Sequence, residues 1–541
     1  MTIIMKKARL LCMHFFSLGF FFILLFCAAH ALGSIKPKVL IIEFHGIKQG
    51  LFQNNLDRLP NFKKLIKGMH GNQAYVYLPN VFTTLPAASV PAVTAMYTGV
   101  HPGRTGVVST IWFDRSTLKV RTMLSYSQQR INQVLHTNKI KTIFEYAGAA
   151  GKTSLSSMLI ANNGADWKIR SSLFFWGNAS TLGFIRKGHW IPDGKYVDHQ
   201  TVNGFLTGHL LHYYTSLAGI YEYHHHIPDL MVLQLMGTDM ISHFPKPELI
   251  RQQASLDEIQ QEYAIEVLDP LLGKLINFFN KVGQYENLIV ILVSEQGFSK
   301  IEKHIDNNII SRSLKQKYRL PGFSTTKRQA QAVIMPGACT KEIYLKNRET
   351  NIWTDPPRLL QDVKPAIDLL LDNKDLKECL NTLVIRNYPD RRFEGKLESG
   401  LWWTFNRHEY QKGPKNKSSF LRALLPLKDL SKNFEIAEYL ADGLKNQYSD
   451  KTAPDIKLIN KEGFYFENDK KKYGHHGSYY PADCLVSFHI GGPGLAHMIA
   501  GRHTLVEPAS TLDLIPMVTW LFGIKEPDGL DGNNPIGFLA K

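Results

Sequence analysis

Runs of apolar residues recur along the chain with the lengths and spacing of buried strands. "VLIIEF" (39–44), "TSLSSMLI" (153–160), "LMVLQL" (230–235), "LIVILV" (288–293) and "CLVSFHI" (484–490) are continuous rather than alternating. That pattern is what a parallel sheet covered on both faces requires. Between two of these runs, Ser255 to Phe279 carries helical spacing, with Leu256, Ile259, Tyr263, Val267, Leu271 and Leu275 on one stripe. Ser255 and Glu258 have the positions of a capping box, and Pro270 predicts a kink. Strand and helix alternate, so the expected fold is α/β: a doubly wound, mostly parallel sheet with helices on both faces.

From about 300 to 470 the pattern becomes more polar and less regular. "TDPPR", "RNYPDRR" and "QKGPKNKSS" are breaker-rich loops. We read this stretch as a large insertion covering the site, within one domain over 32–541. Residues 1–31 read as a signal peptide: "MKKAR", then an apolar run to Cys27, then Ala29-His30-Ala31 as a cleavage site. The alternative is an uncleaved anchor, since the apolar run approaches spanning length. The expectation is an exported protein, periplasmic or secreted, in contact with a membrane only if that leader is retained.

Composition adds little to the fold and something to the partners. The 541 residues are 44% hydrophobic and 20% charged, with 63 basic against 47 acidic residues. A net charge of +16 favours anionic partners in general. The basic residues are dispersed and no recognition motif occurs, so specific nucleic-acid binding is not expected. Cys339, Cys379 and Cys484 follow the leader, enough for one bridge but without the spacing of a cysteine zinc site.

Candidate chemistry lies in stretches that the fold would gather. In "TLPAASVPAVTAMYTGVHPGRTG", Pro91 marks the first turn of a helix and puts Ser89 at or just before its N-terminus, where free N–H groups suit a phosphate or a developing oxyanion, or where Ser89 is a plain N-cap. In "PDLMVLQLMGTDMISH", Asp239 and His243 stand four apart beyond a strand, one helical turn. That pair suits zinc. In "YGHHGSYYPADC", His475 and His476 precede Gly477. The triplet His224-His225-His226 reads as a solvated loop on the other side of the sheet. "LIVILV" ends on Ser294-Glu295-Gln296-Gly297, where open α/β sheets bind ligands.

Taken in order, "VLIIEFHG", "SVPAVTAMYTGVHPGRTG", "PDLMVLQLMGTDMISH", "LIVILVSEQG", "PDIKLINKEGFYF", "HHG" and "VEPASTLDLIPMVTWLFGIKEPDGLDG" resemble the alkaline-phosphatase superfamily, in its nucleotide pyrophosphatase/phosphodiesterase branch. The resemblance implies a two-metal phosphoesterase. One zinc would be held by Asp239, His243 and His476, with Ser89 at the position of the family's hydroxyl nucleophile. The second-metal positions depart: the family's Asp-Gly is His45-Gly46, and its Ser-Asp-His-Gly is Ser294-Glu295-Gln296-Gly297. His45 and Glu295 remain competent ligands, Gln296 is a poor one, and the Asp-to-His change removes a carboxylate. Ala92 stands where an Asn donor to phosphate would sit.

The implied activity is hydrolysis of a small-molecule or lipid phosphodiester. The alternative is a catalytically weakened member acting as a binding or scaffolding protein. A sulfatase's C/S-x-P-x-R context is missing because Val93 occupies the Arg position, and no G-x-S-x-G elbow occurs.

Overall fold

The computed structural model describes residues 37–540 apart from 68–73, 124–126, 170–182, 187–188, 193–194, 196, 200, 204, 207–226, 323–324, 338, 389–401, 428–436 and 450. The leader and the histidine triplet at 224–226 lie outside the described residues.

The strands of the central sheet are β1 (Lys38–Phe44), β2 (Tyr75–Phe82), β3 (Ser154–Ser157), β4 (Trp167–Ile169), β5 (Leu230–Leu235), β6 (Leu288–Ser294), β7 (Leu485–Gly491), β8 (Arg502–Thr504) and β9 (Ala509–Ser510). They lie in the order β8-β2-β7-β6-β1-β5-β3-β4, with β9 beside β2. All pairings are parallel except those of β7, which runs antiparallel to both β6 and β2. Alternate residues of β1 serve opposite cores. Val39 and Ile41 join one with Val93, Met96 and Leu514, while Leu40, Ile42 and Phe44 join another with Phe62, Leu271 and Phe279. This two-sided burial is why the strands read as continuous apolar runs.

The long helical pattern is interrupted rather than simply kinked. Ser255 and Glu258 form the expected capping box on helix Leu256–Tyr263. The chain then widens to a π turn over Ala264–Leu268 before helix Asp269–Lys281. Pro270 has no N–H to give the preceding turn, and the wider turn lies just before it.

The less regular stretch after residue 300 builds a second sheet of six antiparallel strands: Ala332–Pro336, Thr340–Leu345, Ile456–Asn460, Leu380–Arg386, Trp402–Phe405 and Leu424–Pro426 in spatial order. It has its own core around Ile343, Leu383, Phe405, Leu458, Ile367 and Leu370. Trp402 and Phe405 are buried here, with roles in packing. The chain enters and leaves this lobe side by side, as Lys303–Ile305 pairs in parallel with Phe464–Phe466. Cys339, Cys379 and Cys484 are all buried and free, so none forms the bridge that their number allowed.

His489 on β7 shows what the core costs in acid. Its ring stacks on Tyr77, and its Nδ1 lies 2.8 Å from the Tyr75 hydroxyl. Burial pushes it down to about 3. The fold therefore holds it neutral while the unfolded chain protonates near pH 6.5. Between those values the unfolded state binds the extra proton, so stability falls as pH falls. We expect His489 to weaken folding by up to about tenfold per pH unit below pH 6.5. Denaturant unfolding of wild type and His489→Phe across pH 4–7 measures it; an identical pH slope in the two proteins would contradict it.

Candidate active site

The three parallel strands at the centre end together. Phe44 is in register with Ser294 on one side and with Leu235 on the other. The residues immediately after them, His45, the segment from Gly237 and Glu295, therefore emerge along one edge, the ligand-binding edge of an open α/β sheet.

Two short helices complete that edge. Helix α1 (Ser89–Met96) has Ala88 at its N-cap position, with no side-chain cap. Ser89 is thus the first helical residue, not the cap. Its Oγ instead accepts a hydrogen bond from Gln296 Nε2 at 3.2 Å. Helix α2 (Gly237–His243) is capped from outside: the Gly237 N–H donates to Asp198 Oδ1 at 2.9 Å, and the Tyr263 hydroxyl holds Asp198 Oδ2 at 2.8 Å. Burial lifts the Asp198 carboxyl to about 7 against those hydrogen bonds.

His476 arrives from far along the chain. Gly297 N–H donates to the Asp483 carbonyl, Phe298 N–H to that of Ala482, and Ser299–Lys300 pairs with Gly474–His475. A Cβ at Gly297 would sit 2.0 Å from the Ala482 carbonyl oxygen, so only glycine permits this close approach. The same strand end that carries Glu295 thereby docks the His476 segment.

Asp239, His243 and His476 form a compact group. Asp239 Oδ1 lies 3.3 Å from His476 Nε2 and 3.7 Å from His243 Nε2. Nδ1 of His243 bonds the Gly474 carbonyl at 2.9 Å, and Nδ1 of His476 the Ala87 carbonyl at 3.3 Å. A carbonyl only accepts, so each Nδ1 carries the hydrogen and each Nε2 presents a lone pair towards Asp239. Burial pushes His243 down to about 4 despite Asp239, which keeps it a neutral donor. Burial raises the Asp239 carboxyl, but His243 and His476 more than reverse that and hold it well below the usual range.

The group fits a divalent cation. Tetrahedral zinc with bonds of about 2.0–2.1 Å spaces its ligand atoms about 3.3 Å apart. Asp239 Oδ1 is also buried with no hydrogen-bond partner. His475 is close, its ring nitrogen within 4.8 Å of the other two imidazoles. Its Nδ1, however, already accepts from the His476 N–H at 2.9 Å.

A second group lies at the ends of β1 and β6. His45 Nδ1 is 3.2 Å from Glu295 Oε1, and its Nε2 is 3.3 Å from Glu43 Oε1. Burial raises both carboxyls, Glu295 well above its usual range with Glu43 adding to the effect. The structure thus brings His45 and Glu295 together as the sequence suggested, and places the Gln296 amide against Ser89. Glu43 was missed. A carboxylate inside "VLIIEF" was the available signal, since residues 43 and 45 share a strand face.

The family described as type I phosphodiesterase/nucleotide pyrophosphatase matches residues 39–479. The chain belongs to this family. The type I phosphodiesterase match contains every residue named above as a candidate, from His45 to His476. No curated protein matches the chain in sequence. Among solved structures, murine ectonucleotide pyrophosphatase/phosphodiesterase 5 is similar at 15% identity and a TM-score of 0.52, over 93% of this chain and 100% of that one. Its inactive form in complex with AMP gives 14% and 0.52 with the same coverage. The human counterpart gives 16% and 0.53, again over 93% and 100%. At these identities the phosphodiesterase neighbours establish the shared fold alone.

Proposed function

We propose that this family member is an exported, metal-dependent phosphodiesterase or nucleotide pyrophosphatase in which Ser89 is the nucleophile. The observation that carries the reading is the Ser89 hydroxyl: at a helix N-terminus, free of any capping role, two residues after Ala87, whose carbonyl accepts from His476 Nδ1 of the Asp239–His243–His476 group. A helix start offers unpaired N–H groups and the positive end of the dipole, both suited to a phosphoryl group. The AMP complex of the murine neighbour supports a nucleotide-type substrate.

Ser89 Oγ forms a bond to phosphorus as the bond to the leaving alcohol or phosphate breaks, giving a phosphoserine. The serine proton passes to solvent and the leaving oxygen is protonated in turn. Water then attacks the same phosphorus and Ser89 regains its proton. Asp239, His243 and His476 would hold a divalent cation, zinc by donor type, which supplies Lewis acidity at a phosphoryl oxygen and lowers the pKa of a bound hydroxyl. Gln296 holds the Ser89 oxygen in place through its amide N–H.

The discriminating experiment is hydrolysis of bis-p-nitrophenyl phosphate and of a nucleotide diester by protein stripped of metal and reloaded with zinc. No turnover above a metal-only control on either substrate would favour the binding-protein reading. The Glu43 carboxylate speaks for the enzyme, because it offsets the one lost at position 45. Gln296→Leu should lower kcat about tenfold with little change in KM, the loss of one hydrogen bond of about 1.4 kcal/mol. An unchanged kcat would remove Gln296 from the reaction.

A further inference from the structure

The turn that follows His476 is held by three buried side chains from outside it. The Cys339 thiol donates to the Gly477 carbonyl at 3.0 Å. The Cys484 thiol donates to the Ser478 carbonyl at 3.4 Å. Between them the Ser478 N–H donates to Asp483 Oδ2 at 2.7 Å, and the Ser299 and Tyr465 hydroxyls hold the same carboxyl. Gly477 has a φ of +96°, a conformation that glycine adopts freely and other residues do not, and its carbonyl meets Cys339.

Two observations set these thiols apart from ordinary packing. Gly477 and Ser478 are buried, and among the described residues no backbone N–H reaches the carbonyl of either. A buried carbonyl without a donor is costly, and the thiols supply the donors. Burial also pushes both thiols well above their usual range, so each keeps the hydrogen that it donates. The third cysteine, Cys379, packs in the core of the second lobe.

The two thiols come from different parts of the fold. Cys339 stands at the root of the second lobe, directly before strand Thr340–Leu345, and Cys484 closes helix Pro481–Cys484. The turn between them leads out of His476, whose Nε2 faces Asp239. Metal ligation tolerates only about 0.2 Å in its bond lengths, so a small shift of this turn is felt at the imidazole.

We propose that Cys339 and Cys484 are positioning residues of the metal group: as free thiols they fix His476 by donating to the two carbonyls that follow it. The inference rests on the reading that Asp239, His243 and His476 hold a divalent cation. It makes that centre depend on two thiols although no sulfur ligates the metal.

The test is zinc affinity of the full chain, measured by competition with a chromogenic chelator, with circular dichroism and thermal melting to confirm folding. Asp239→Asn identifies the affinity that belongs to the group. Cys339→Ala should weaken that affinity about tenfold and Cys484→Ala about threefold, in the order of their S···O distances. Cys339→Ser should return to within about twofold of wild type, because a hydroxyl donates to the same carbonyl. A thiol that merely packs gives the opposite ranking, since alanine leaves a small gap while serine buries a hydroxyl. Cys339→Ala equal to wild type overturns the proposal, as does Cys339→Ser binding more weakly than Cys339→Ala. An equal loss in the control Cys379→Ala overturns it too. Should Cys339→Ala not fold, Cys484→Ala and Cys484→Ser carry the same comparison. Equal affinity in wild type and Asp239→Asn would instead sink the metal reading, and the proposal with it.

Discussion

Replacing Ser89 with alanine should lower phosphodiester hydrolysis by on the order of 10⁴-fold or more, because it removes the oxygen that attacks phosphorus in the proposed reaction. The fold should be unaffected. Ser89 caps nothing, and the hydrogen bond lost with its Oγ is that from Gln296. Alanine is also a better helix former than serine. Circular dichroism and thermal melting should therefore match wild type while turnover collapses. Ser89→Thr keeps a hydroxyl at the same backbone position and should recover much of the rate. Equal rates for wild type and Ser89→Ala would remove the nucleophile assignment.

The second large effect separates two adjacent histidines. His476→Ala should lower activity by more than about 100-fold and weaken zinc binding, because its Nε2 is 3.3 Å from Asp239 Oδ1. His475→Gln should cost no more than about tenfold. His475 Nδ1 serves the His476 backbone, and its Nε2 looks the other way, 3.9 Å from Glu467 Oε2. Glutamine can still accept from that N–H. Activity and zinc affinity measured on both variants decide the matter. The reverse ranking would mean that His475, and not His476, completes the metal group with Asp239 and His243.

The strands and their ends were legible because two-sided burial leaves an unmistakable apolar run, and because chemistry in such sheets collects where the runs stop. The Asp239–His243 pair was legible from helical spacing alone. His476 was legible only through the family resemblance: its place is fixed by docking onto Gly297 and Ser299, contacts between segments about 180 residues apart that no local pattern records. Glu43 was hidden for a different reason. A single carboxylate in a strand of aliphatic residues reads as a strand, and only its alignment with His45 gives it a chemical context. The second sheet escaped notice because its strands are separated by long breaker-rich stretches, so no regular alternation marked them.

The side-by-side entry and exit of the 306–463 lobe bear on how such a protein can diversify. Lys303–Ile305 against Phe464–Phe466, and Ser299–Lys300 against Gly474–His475, clamp the base of the lobe directly beneath the histidine segment. Whatever length or shape the intervening chain takes, its two ends are returned to the same place. Insertions or exchanges beyond the clamp leave the spacing of Asp239, His243 and His476 untouched, whereas a single side chain added at Gly297 would displace it. Tolerance to change should be concentrated at the outer rim of the second sheet and vanish within a few residues of its root.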